Sequence, residues 1–353
     1  MPLGRHCSVA GPMLPRGMTR FDIVGLGNAI VDVLVQVDEA FVSRHDMRKG
    51  GMTLIDAAAA DRIYAAMPPA QETSGGSVAN TCAVAAGLGA RVAYLGRVAD
   101  DQLGAVFRHD IGSAGVHFPT PPLAGGAPTA RSLILVTPDG QRTMNTYLGA
   151  CTAFSEAEVD ERVVRDSAVT YLEGYLFDTP AAAAACRRAA ALARAAGRRV
   201  ALLLSDPLCV DRHRDAFLQL LRTGADIVIG NEAEFASLYR SNDLAGALAA
   251  VRRDVRLAAV TLGEAGSLIL EGAAEVPVPA APTEVVDTTG AGDAYAAGFL
   301  TALTAGRSLA ACGQLGALAA AEVISHLGAR LQRDLRAEIA AADGPVTPAK
   351  PTH

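Results

Sequence analysis

The stretch that decides the fold is Asp-Thr-Thr-Gly-Ala-Gly-Asp-Ala-Tyr-Ala-Ala-Gly-Phe-Leu, at residues 287–300. Gly290 and Gly292 let the backbone turn sharply and approach a ligand closely, and a helix is predicted to begin near Ala291. The free N–H groups and the dipole of a helix start favour an anion. Asp293 lies in the first turn, where a carboxylate beside a phosphate makes sense if it accepts a proton from an attacking alcohol. A simply capped helix is the alternative, but the pattern over the whole stretch favours the phosphate site.

Strands and helices alternate along most of the chain. The predicted strands are residues 21–27, 31–37, 91–96, 129–137, 141–148, 168–173, 199–204, 226–229 and 257–262. The predicted helices are residues 57–67, 77–89, 102–114, 180–196, 212–222, 291–304 and 308–325. Such alternation predicts an α/β fold with a central, mostly parallel sheet that carries helices on both faces.

One region departs from this alternation. Residues 129–137 and 141–148 read as strands with only Pro138-Asp139-Gly140 between them. Because Pro-Asp-Gly between two alternating runs is a turn signal, the pair is predicted to be a hairpin. A small β element is therefore expected to project from the α/β body.

Length and charge limit the classes of function. The chain has 353 residues and a formal net charge of −6, which argues against a nucleic acid partner. It has no apolar run long enough to cross a membrane, and the start does not resemble a signal peptide, so we expect a cytoplasmic protein without a membrane partner. We expect a flexible extension at residues 1–20, one domain at 21–342 and a disordered tail at 343–353.

Lysine and cysteine usage exclude several chemistries. The two lysines, Lys49 and Lys350, lie in neither a Walker phosphate loop nor the strand of a protein kinase. No Cys-x-x-Cys pair and no histidine cluster is present, so the cysteines are predicted to be free core thiols. They are Cys7, Cys82, Cys151, Cys186, Cys209 and Cys312.

A glycine pair near residue 75 marks a second candidate site. Gly75 and Gly76 expose the backbone just before a predicted helix, and Asn80 offers both a donor and an acceptor to a sugar hydroxyl. Ser77 is a candidate for the same site, although a serine here is also a common helix N-cap.

The first predicted strand leads to Asn28 and Asp32. Gly25-Leu-Gly27-Asn28 suggests a dinucleotide motif, but the third glycine is absent and a strand follows instead of a helix. A carboxylate inside an apolar strand needs a partner, so Asp32 is a candidate to bind a pair of ribose hydroxyls. A strand-end aspartate bonded to backbone is the alternative.

Two polar turns follow later strands. Asn231-Glu-Ala-Glu234 suits either a metal and phosphate site or a capped helix with an acidic first turn. Thr261, Gly263 and Gly266 end a strand in a glycine turn, which is either a nucleotide contact or a plain hairpin.

Residues 287–300 resemble, at every position, the C-terminal signature of the ribokinase-like or phosphofructokinase-B family of carbohydrate kinases. Residues 74–80 resemble its N-terminal signature, and the likeness extends over about residues 21–330. It implies a ribokinase-like fold with a small β-sheet lid from about residues 31–55 and 129–148. The implied reaction is ATP-dependent phosphorylation of a sugar or nucleoside hydroxymethyl group, with most of the catalysis coming from positioning and charge neutralisation.

The resemblance also implies roles for the candidate residues. Asp293 is implied as the base, the anion hole as Gly290, Ala291 and Gly292, and Arg142 as a lid arginine that reaches the transferring phosphate, with a solvated arginine as the alternative. Implied substrate contacts are Asn28, Asp32, Gly75, Gly76, Ser77 and Asn80. Implied ATP contacts are Asn231, Thr261, Gly263, Gly266 and His326, the last with a core or surface histidine as the alternative. Glu234 would organise Mg²⁺ through water, and Asp287 is a candidate to help bind K⁺.

The substrate is less sharply defined, because relatives with different substrates share the fold. Residues 27–33, 49–54, 142–150 and 171–177 look like the bacterial adenosine kinase branch, so adenosine, converted to AMP, is the first choice. Ribose, fructose, 2-keto-3-deoxygluconate, inosine and guanosine are the alternatives. A binding protein without catalysis is a remote one, because Asp293 is intact.

Two further expectations concern the pocket and the assembly. The rings of Tyr147, Tyr175 and Phe177 are candidate walls for a purine, with a core position as the alternative for each. The sequence does not decide between a monomer and a homodimer.

Overall fold

The computed structural model describes residues 19–336 and 338. The predicted tail and most of the predicted N-terminal extension lie outside these residues, as does Cys7. Within the described part of the chain, the strands form two sheets, one of nine strands and one of five.

The large sheet is mostly parallel. Its strands, in the order in which they lie side by side, are β14 (Ala274–Val278), β13 (Ser267–Glu271), β12 (Leu257–Thr261), β11 (Ile227–Asn231), β10 (Arg199–Leu203), β9 (Ser167–Glu173), β1 (Phe21–Leu26), β5 (Val92–Leu95) and β6 (Val116–His117). Neighbours from β12 to β6 pair in parallel. β13 and β14 are antiparallel additions at one edge.

Helices cover both faces of this sheet, as the sequence predicts. The helices of the described residues are α1 (Glu39–Arg44), α2 (Ala57–Ala66), α3 (Ser77–Gly87), α4 (Gln102–Ser113), α5 (Glu161–Arg165), α6 (Pro180–Ala195), α7 (Pro207–Thr223), α8 (Glu232–Tyr239), α9 (Leu244–Asp254), α10 (Ala291–Thr304) and α11 (Leu309–Val323). Of these, α1 and α2 pack on the smaller sheet instead. Neighbouring strand residues point into different cores: Tyr171 packs with α3, α10 and α11, whereas Leu172 packs with α5 to α9. This alternation produces the layered α/β architecture.

The smaller sheet is the β element that the hairpin predicts. Its strands are, in spatial order, β3 (Met52–Leu54), β8 (Arg142–Tyr147), β7 (Ala130–Val136), β2 (Ile30–Gln36) and β4 (Gln71–Gly75). β7 and β8 form the predicted hairpin, with Gly140 at φ +77° in its turn. One face packs under α1 and α2 through Val33, Val35 and Leu135.

The other face of this second sheet has no helix over it among the described residues, and it carries Asp32 and Arg142. The register places Asp32 beside Ser132, and Ser132 beside Thr146, while Arg142 lies two pleats from Thr146 on the same strand. Since side chains alternate across a strand, all of these residues point to the same side. That side is turned toward the start of α10.

Other sequence expectations have simple outcomes. The cysteines within the described residues are free and buried, as predicted. None of the described helices combines the length and apolarity that a membrane crossing needs.

Candidate active site

A cavity of 300 Å³ lies where the carboxyl ends of β10, β11 and β12 meet the N-terminal ends of α3 and α10. In a parallel sheet this edge is the usual place for a ligand. The residues that line the cavity are Ser77, Tyr175, Leu203, Ser205, Ile229, Gly230, Asn231, Glu234, Thr261, Thr288, Gly290, Ala291, Gly292 and Asp293.

The start of α10 faces this cavity without a side-chain cap. Gly290, its N-cap residue, has φ +77°, and a Cβ there would lie 2.6 Å from the Cβ of Ala329. A Cβ on Gly292 would meet no atom within 4 Å. Gly290 is therefore required by the backbone, whereas Gly292 leaves open space in front of the helix start, where an anion would be stabilised.

Asp293 is held by two side chains of α3. Ser77 Oγ donates to Asp293 Oδ1 at 2.5 Å, and Asn80 Nδ2 donates to Asp293 Oδ2 at 3.4 Å. Burial raises the pKa of the Asp293 carboxyl to about 6, while these bonds and the cation of Arg330 act in the opposite direction. The carboxylate is thus ionised at neutral pH and able to accept a proton.

Asp32 approaches the same region from the second sheet. A Cβ on Gly75 would lie 2.2 Å from Asp32 Oδ2, so the glycine makes room for this carboxylate. Gly76 has φ +94°, and a Cβ there would overlap the carbonyl oxygen of Asn28. Burial raises the pKa of Asp32 to about 6, and the negative charge of Asp293 adds to the rise.

Asn28 is held by a carboxylate that the sequence analysis did not select. Glu173, at the end of β9, is 1% exposed and accepts hydrogen bonds from Asn28 Nδ2 at 2.8 Å and from the backbone N–H of Val78 at 3.1 Å. Burial raises its pKa to about 7. Glu173 thus ties the turn after β1 to the start of α3, and the Asn28 amide nitrogen is already bonded.

Arg142 reaches from the second sheet into the body. Its guanidinium pairs with Asp287 and donates to Thr289 Oγ1 at 2.8 Å, and its side chain is 11% exposed. The alternative of a solvated arginine is therefore not what the structure shows. Asp287 also accepts from the backbone N–H groups of Thr289 and Gly328. The Asp287 carboxylate is thus paired with the Arg142 cation, and its role in binding K⁺ stays a prediction.

Asn231 and Glu234 form a reciprocal capping box at the start of α8. Glu234 N–H donates to Asn231 Oδ1 at 2.9 Å, and Asn231 N–H donates to Glu234 Oε2 at 3.0 Å. The capped-helix alternative is thus present, yet both residues also line the cavity. Burial raises the pKa of Glu234 to about 7.

The acidic residues at the cavity can be compared with the ligands that Mg²⁺ takes in proteins. Within residues 19–336 and 338, no group of three or more His, Cys, Asp or Glu side chains is arranged to enclose a metal ion. Mg²⁺ keeps several waters and takes oxygen ligands mainly from nucleotide phosphates, so one carboxylate at the cavity wall fits it. Glu234 is such a carboxylate.

The remaining predicted ATP contacts do not all lie at the same cavity. Thr261 lines the cavity, and Gly263 and Gly266 form the turn between β12 and β13, at φ +61° and +92°. His326 lines a separate cavity of 390 Å³, where its Nε2 lies 3.4 Å from Glu322 Oε1. The structure therefore does not bring His326 together with Asp293.

The three aromatic rings that were candidate walls for a purine also lie in different places. Tyr175 lines the cavity, whereas Phe177 packs edge-on against Phe217 in the core at 5.1 Å between centroids. Tyr147 lies beside Arg131 on the face of the second sheet opposite to Asp32. The core alternative is confirmed for Phe177, whereas the role of Tyr175 and Tyr147 as purine walls stays a prediction.

Two further site residues were missed. Ser205 lines the cavity just after β10 with φ +78°, a conformation that non-glycine residues rarely adopt. Arg330, in the segment after α11, bonds Asn80 and Ser74. Neither residue belongs to a local motif, so the sequence offered no signal for them beyond their place in the chain.

The chain belongs to the pfkB family of carbohydrate kinases, whose model matches residues 51–335. The fold, the uncapped helix start and the second sheet facing it agree with this assignment. The protein is accordingly a kinase of the carbohydrate and nucleoside class.

Two solved structures and one further protein are similar to this chain. The crystal structure of adenosine kinase from Sinorhizobium meliloti is 51% identical, with a TM-score of 0.85, over 92% of this chain and 99% of that one. A probable sugar kinase from Rhizobium etli CFN 42 is 48% identical, with a TM-score of 0.86 and the same coverage. An ATP-dependent ribose-1-phosphate kinase from Halopiger xanaduensis is 32% identical over 260 residues, which cover 71% of this chain and 81% of the relative.

Proposed function

We propose that the protein transfers the γ-phosphate of ATP to the hydroxymethyl group of a nucleoside, with adenosine as the substrate and AMP as the product. The observation that carries this proposal is the position of Asp293. It is an ionisable carboxylate in the first turn of α10, beside the open anion-binding space in front of Gly292.

In the proposed reaction the substrate hydroxyl oxygen attacks the γ-phosphorus in line. The new O–P bond forms as the bond to the β-phosphate oxygen breaks, ADP leaves, and the hydroxyl proton passes to Asp293. The backbone N–H groups at the start of α10 stabilise the charge on the transferring phosphoryl group, with Gly290, Ala291 and Gly292 as the anion hole.

Arg142 adds a positive charge to the backbone N–H groups of the anion hole. Its partners Asp287 and Thr289 flank the start of α10, so a short movement of the guanidinium would bring it to the phosphate. A planar fork of N–H donors suits this task. We infer that the second sheet is a lid that delivers Arg142 and excludes water when substrate is bound.

Mg²⁺ would be held by the ATP phosphates and, through water, by Glu234. When bound, the ion neutralises phosphate charge during transfer. Asn231, Thr261, Gly263 and Gly266 are the proposed contacts to the remainder of ATP.

The sugar would lie between the lid and the start of α3. Asp32 supplies a carboxylate for a pair of ribose hydroxyls, and Gly75 makes room for that carboxylate because it has no side chain. Gly76, Ser77, Asn80 and Asn28 complete the proposed contacts. The hydroxymethyl group would then point to Asp293.

An apolar row on the lid favours a nucleoside over a free sugar. Leu34, Ile134, Met144 and Met52 are successive cross-strand neighbours on the same face as Asp32. Met52 is 48% exposed. A free sugar offers hydroxyls around its ring, whereas a nucleobase offers an apolar face that such a row can cover. The likeness to an adenosine kinase supports the same choice.

The test is a panel of acceptors with MgATP. It compares adenosine, inosine, guanosine, ribose, fructose, 2-keto-3-deoxygluconate and ribose 1-phosphate, following ADP by a coupled assay and the product by phosphorus NMR. We expect adenosine to have the highest kcat/KM and its product to be the 5′-phosphate. A free sugar as the best acceptor would overturn the nucleoside assignment, and no transfer to any acceptor would overturn the proposed kinase activity.

A further inference from the structure

Arg330 bonds Asn80, one of the proposed substrate contacts, and Ser74, although it belongs to no motif. Its guanidinium bonds the Asn80 side chain and the backbone carbonyl of Ser74, and Nη2 also donates to Ser74 Oγ at 3.0 Å. Ser74 and Asn80 lie on either side of the Gly75–Gly76 turn. One side chain from the segment after α11 thus fastens both ends of this turn.

These contacts continue in both directions as a chain of hydrogen bonds. On one side, Ser74 donates through its N–H at 2.8 Å and its Oγ at 2.5 Å to Asp110 Oδ2 on α4. On the other side, Asn80 Nδ2 donates to Asp293 Oδ2 at 3.4 Å. This series of hydrogen bonds therefore runs from α4 through Ser74, Arg330 and Asn80 to the proposed base.

The chemistry of the end groups fixes the orientation of the Asn80 amide. A guanidinium has only donors, and an ionised carboxylate has only acceptors. Asn80 must therefore turn its oxygen to Arg330 and its nitrogen to Asp293. Because Asn80 is 6% exposed, an amide without Arg330 would leave a buried oxygen unpaired, and the opposite orientation would set that oxygen against the carboxylate.

We propose that Arg330 is a positioning residue for phosphoryl transfer, which orients Asn80 against Asp293 and holds the Gly75–Gly76 turn in place. This inference rests on the proposed role of Asp293 as the base. Arg330 acts through Asn80 and Ser74, so its loss is expected to affect both the base and the substrate-binding turn.

Charge supports the same role. The charge of Asp293 raises the pKa of the carboxyls of Asp32, Glu173 and Glu234 on three other elements, while its α3 partners Ser77 and Asn80 are neutral. The Arg330 cation lowers the pKa of both Asp293 and Asp32, which burial raises. It thus favours the ionised form of both carboxyls, in opposition to burial.

The experiment compares Arg330→Met, Arg330→Lys and the matched control Arg336→Met. Arg336 lies six residues further along, is exposed and bonds Asp334. kcat, KM for adenosine, KM for MgATP and the pH dependence of kcat/KM are measured, with the melting temperature of each variant. Wild type and Asp293→Asn are run in the same assay.

For Arg330→Met we expect kcat to fall on the order of 10²-fold, because a small displacement of the base is costly. KM for adenosine should rise, and the acid limb of kcat/KM should move to higher pH. Arg330→Lys keeps the charge but not the fork, so it should restore the limb while kcat stays low. Wild-type kinetics in Arg330→Met, or the same losses in Arg336→Met, would overturn the proposal.

A double-mutant cycle keeps the proposal testable if Arg330→Met does not fold. Because Arg330 acts through Asn80, Arg330→Lys should lower kcat much less in an Asn80→Ala background than in wild type. Full additivity would overturn the proposal. An inactive wild type, or an Asp293→Asn variant as active as wild type, would instead refute the proposed function.

Discussion

At the residue scale, the ionisation of Asp293 decides whether this carboxyl can act as the proposed base. Its carboxyl has a pKa of about 6 because burial disfavours the charged form. Only the ionised carboxylate accepts a proton, so activity should be full above this pKa and lost below it. We predict that kcat/KM falls as pH drops through about 6, tending to tenfold per pH unit further below.

One variant assigns this limb to Asp293. Glu173 and Glu234 also have raised pKa values, of about 7, so the limb alone does not identify the group. Ser77 donates to Asp293 and lowers its pKa. In Ser77→Ala the acid limb should therefore move to higher pH, measured by kcat/KM across pH 5 to 9. An unmoved limb would assign it to another group.

At the element scale, the start of α10 contains two glycines with different roles. Gly290 is needed for the backbone conformation, and Gly292 is proposed to leave space for the phosphate. Ala at position 290 would need φ +77° and would place its Cβ 2.6 Å from Ala329. We predict that Gly290→Ala lowers the free energy of unfolding by roughly 1–3 kcal/mol, measured by denaturant titration.

Gly292→Ala is the matched variant. Its Cβ would meet no atom within 4 Å, and alanine favours a helix, so the melting temperature should be equal or higher. Activity should nevertheless fall, with a higher KM for MgATP, because the methyl group occupies the proposed phosphate space. Unchanged kinetics in Gly292→Ala would contradict the anion hole.

Some elements could be predicted from the sequence, and others could not. The helix start at residues 290–293 was predicted because its glycines and acid are local. β4 was missed because Gln71-Glu-Thr-Ser-Gly75 has no apolar alternation, and its strand character comes from pairing with β2. β13 and β14, the antiparallel edge strands, were also missed, since only the turn before them carried a signal.

The candidate site divides in the same way. Ser77, Asp293, Asn231 and Thr261 lie in motifs and were found at the cavity. Arg330 and Glu173 work through contacts with residues distant in sequence, which a single chain of letters does not display. Phe177 was a candidate wall by composition, but its place against Phe217 is decided by packing.

At the scale of the whole molecule, the Arg142–Asp287 pair joins the second sheet to the body. Both side chains are largely buried, so the pair is weakly screened and its loss leaves a buried charge. We predict that Arg142→Gln speeds hydrogen exchange of the β8 amides and lowers kcat on the order of 10²-fold.

Lys49→Met is the control for this prediction. Lys49 pairs with Glu39 and Asp139 at the surface, and none of these three residues lines the cavity. The Lys49→Met substitution should leave kcat unchanged. It should also leave hydrogen exchange unchanged at the C-terminal end of β8. Equal exchange in Arg142→Gln and wild type would show that the pair does not hold the two parts together.

The most direct measurement is the rate of ADP formation from MgATP and adenosine at pH 8, for wild type and Asp293→Asn. The asparagine has nearly the same shape, but it carries no negative charge and cannot accept the hydroxyl proton. We predict transfer by wild type, and a rate lower by about 10²–10⁴-fold in a variant that keeps the wild-type melting temperature. Equal rates would contradict the role of Asp293 as the base, on which the whole account depends.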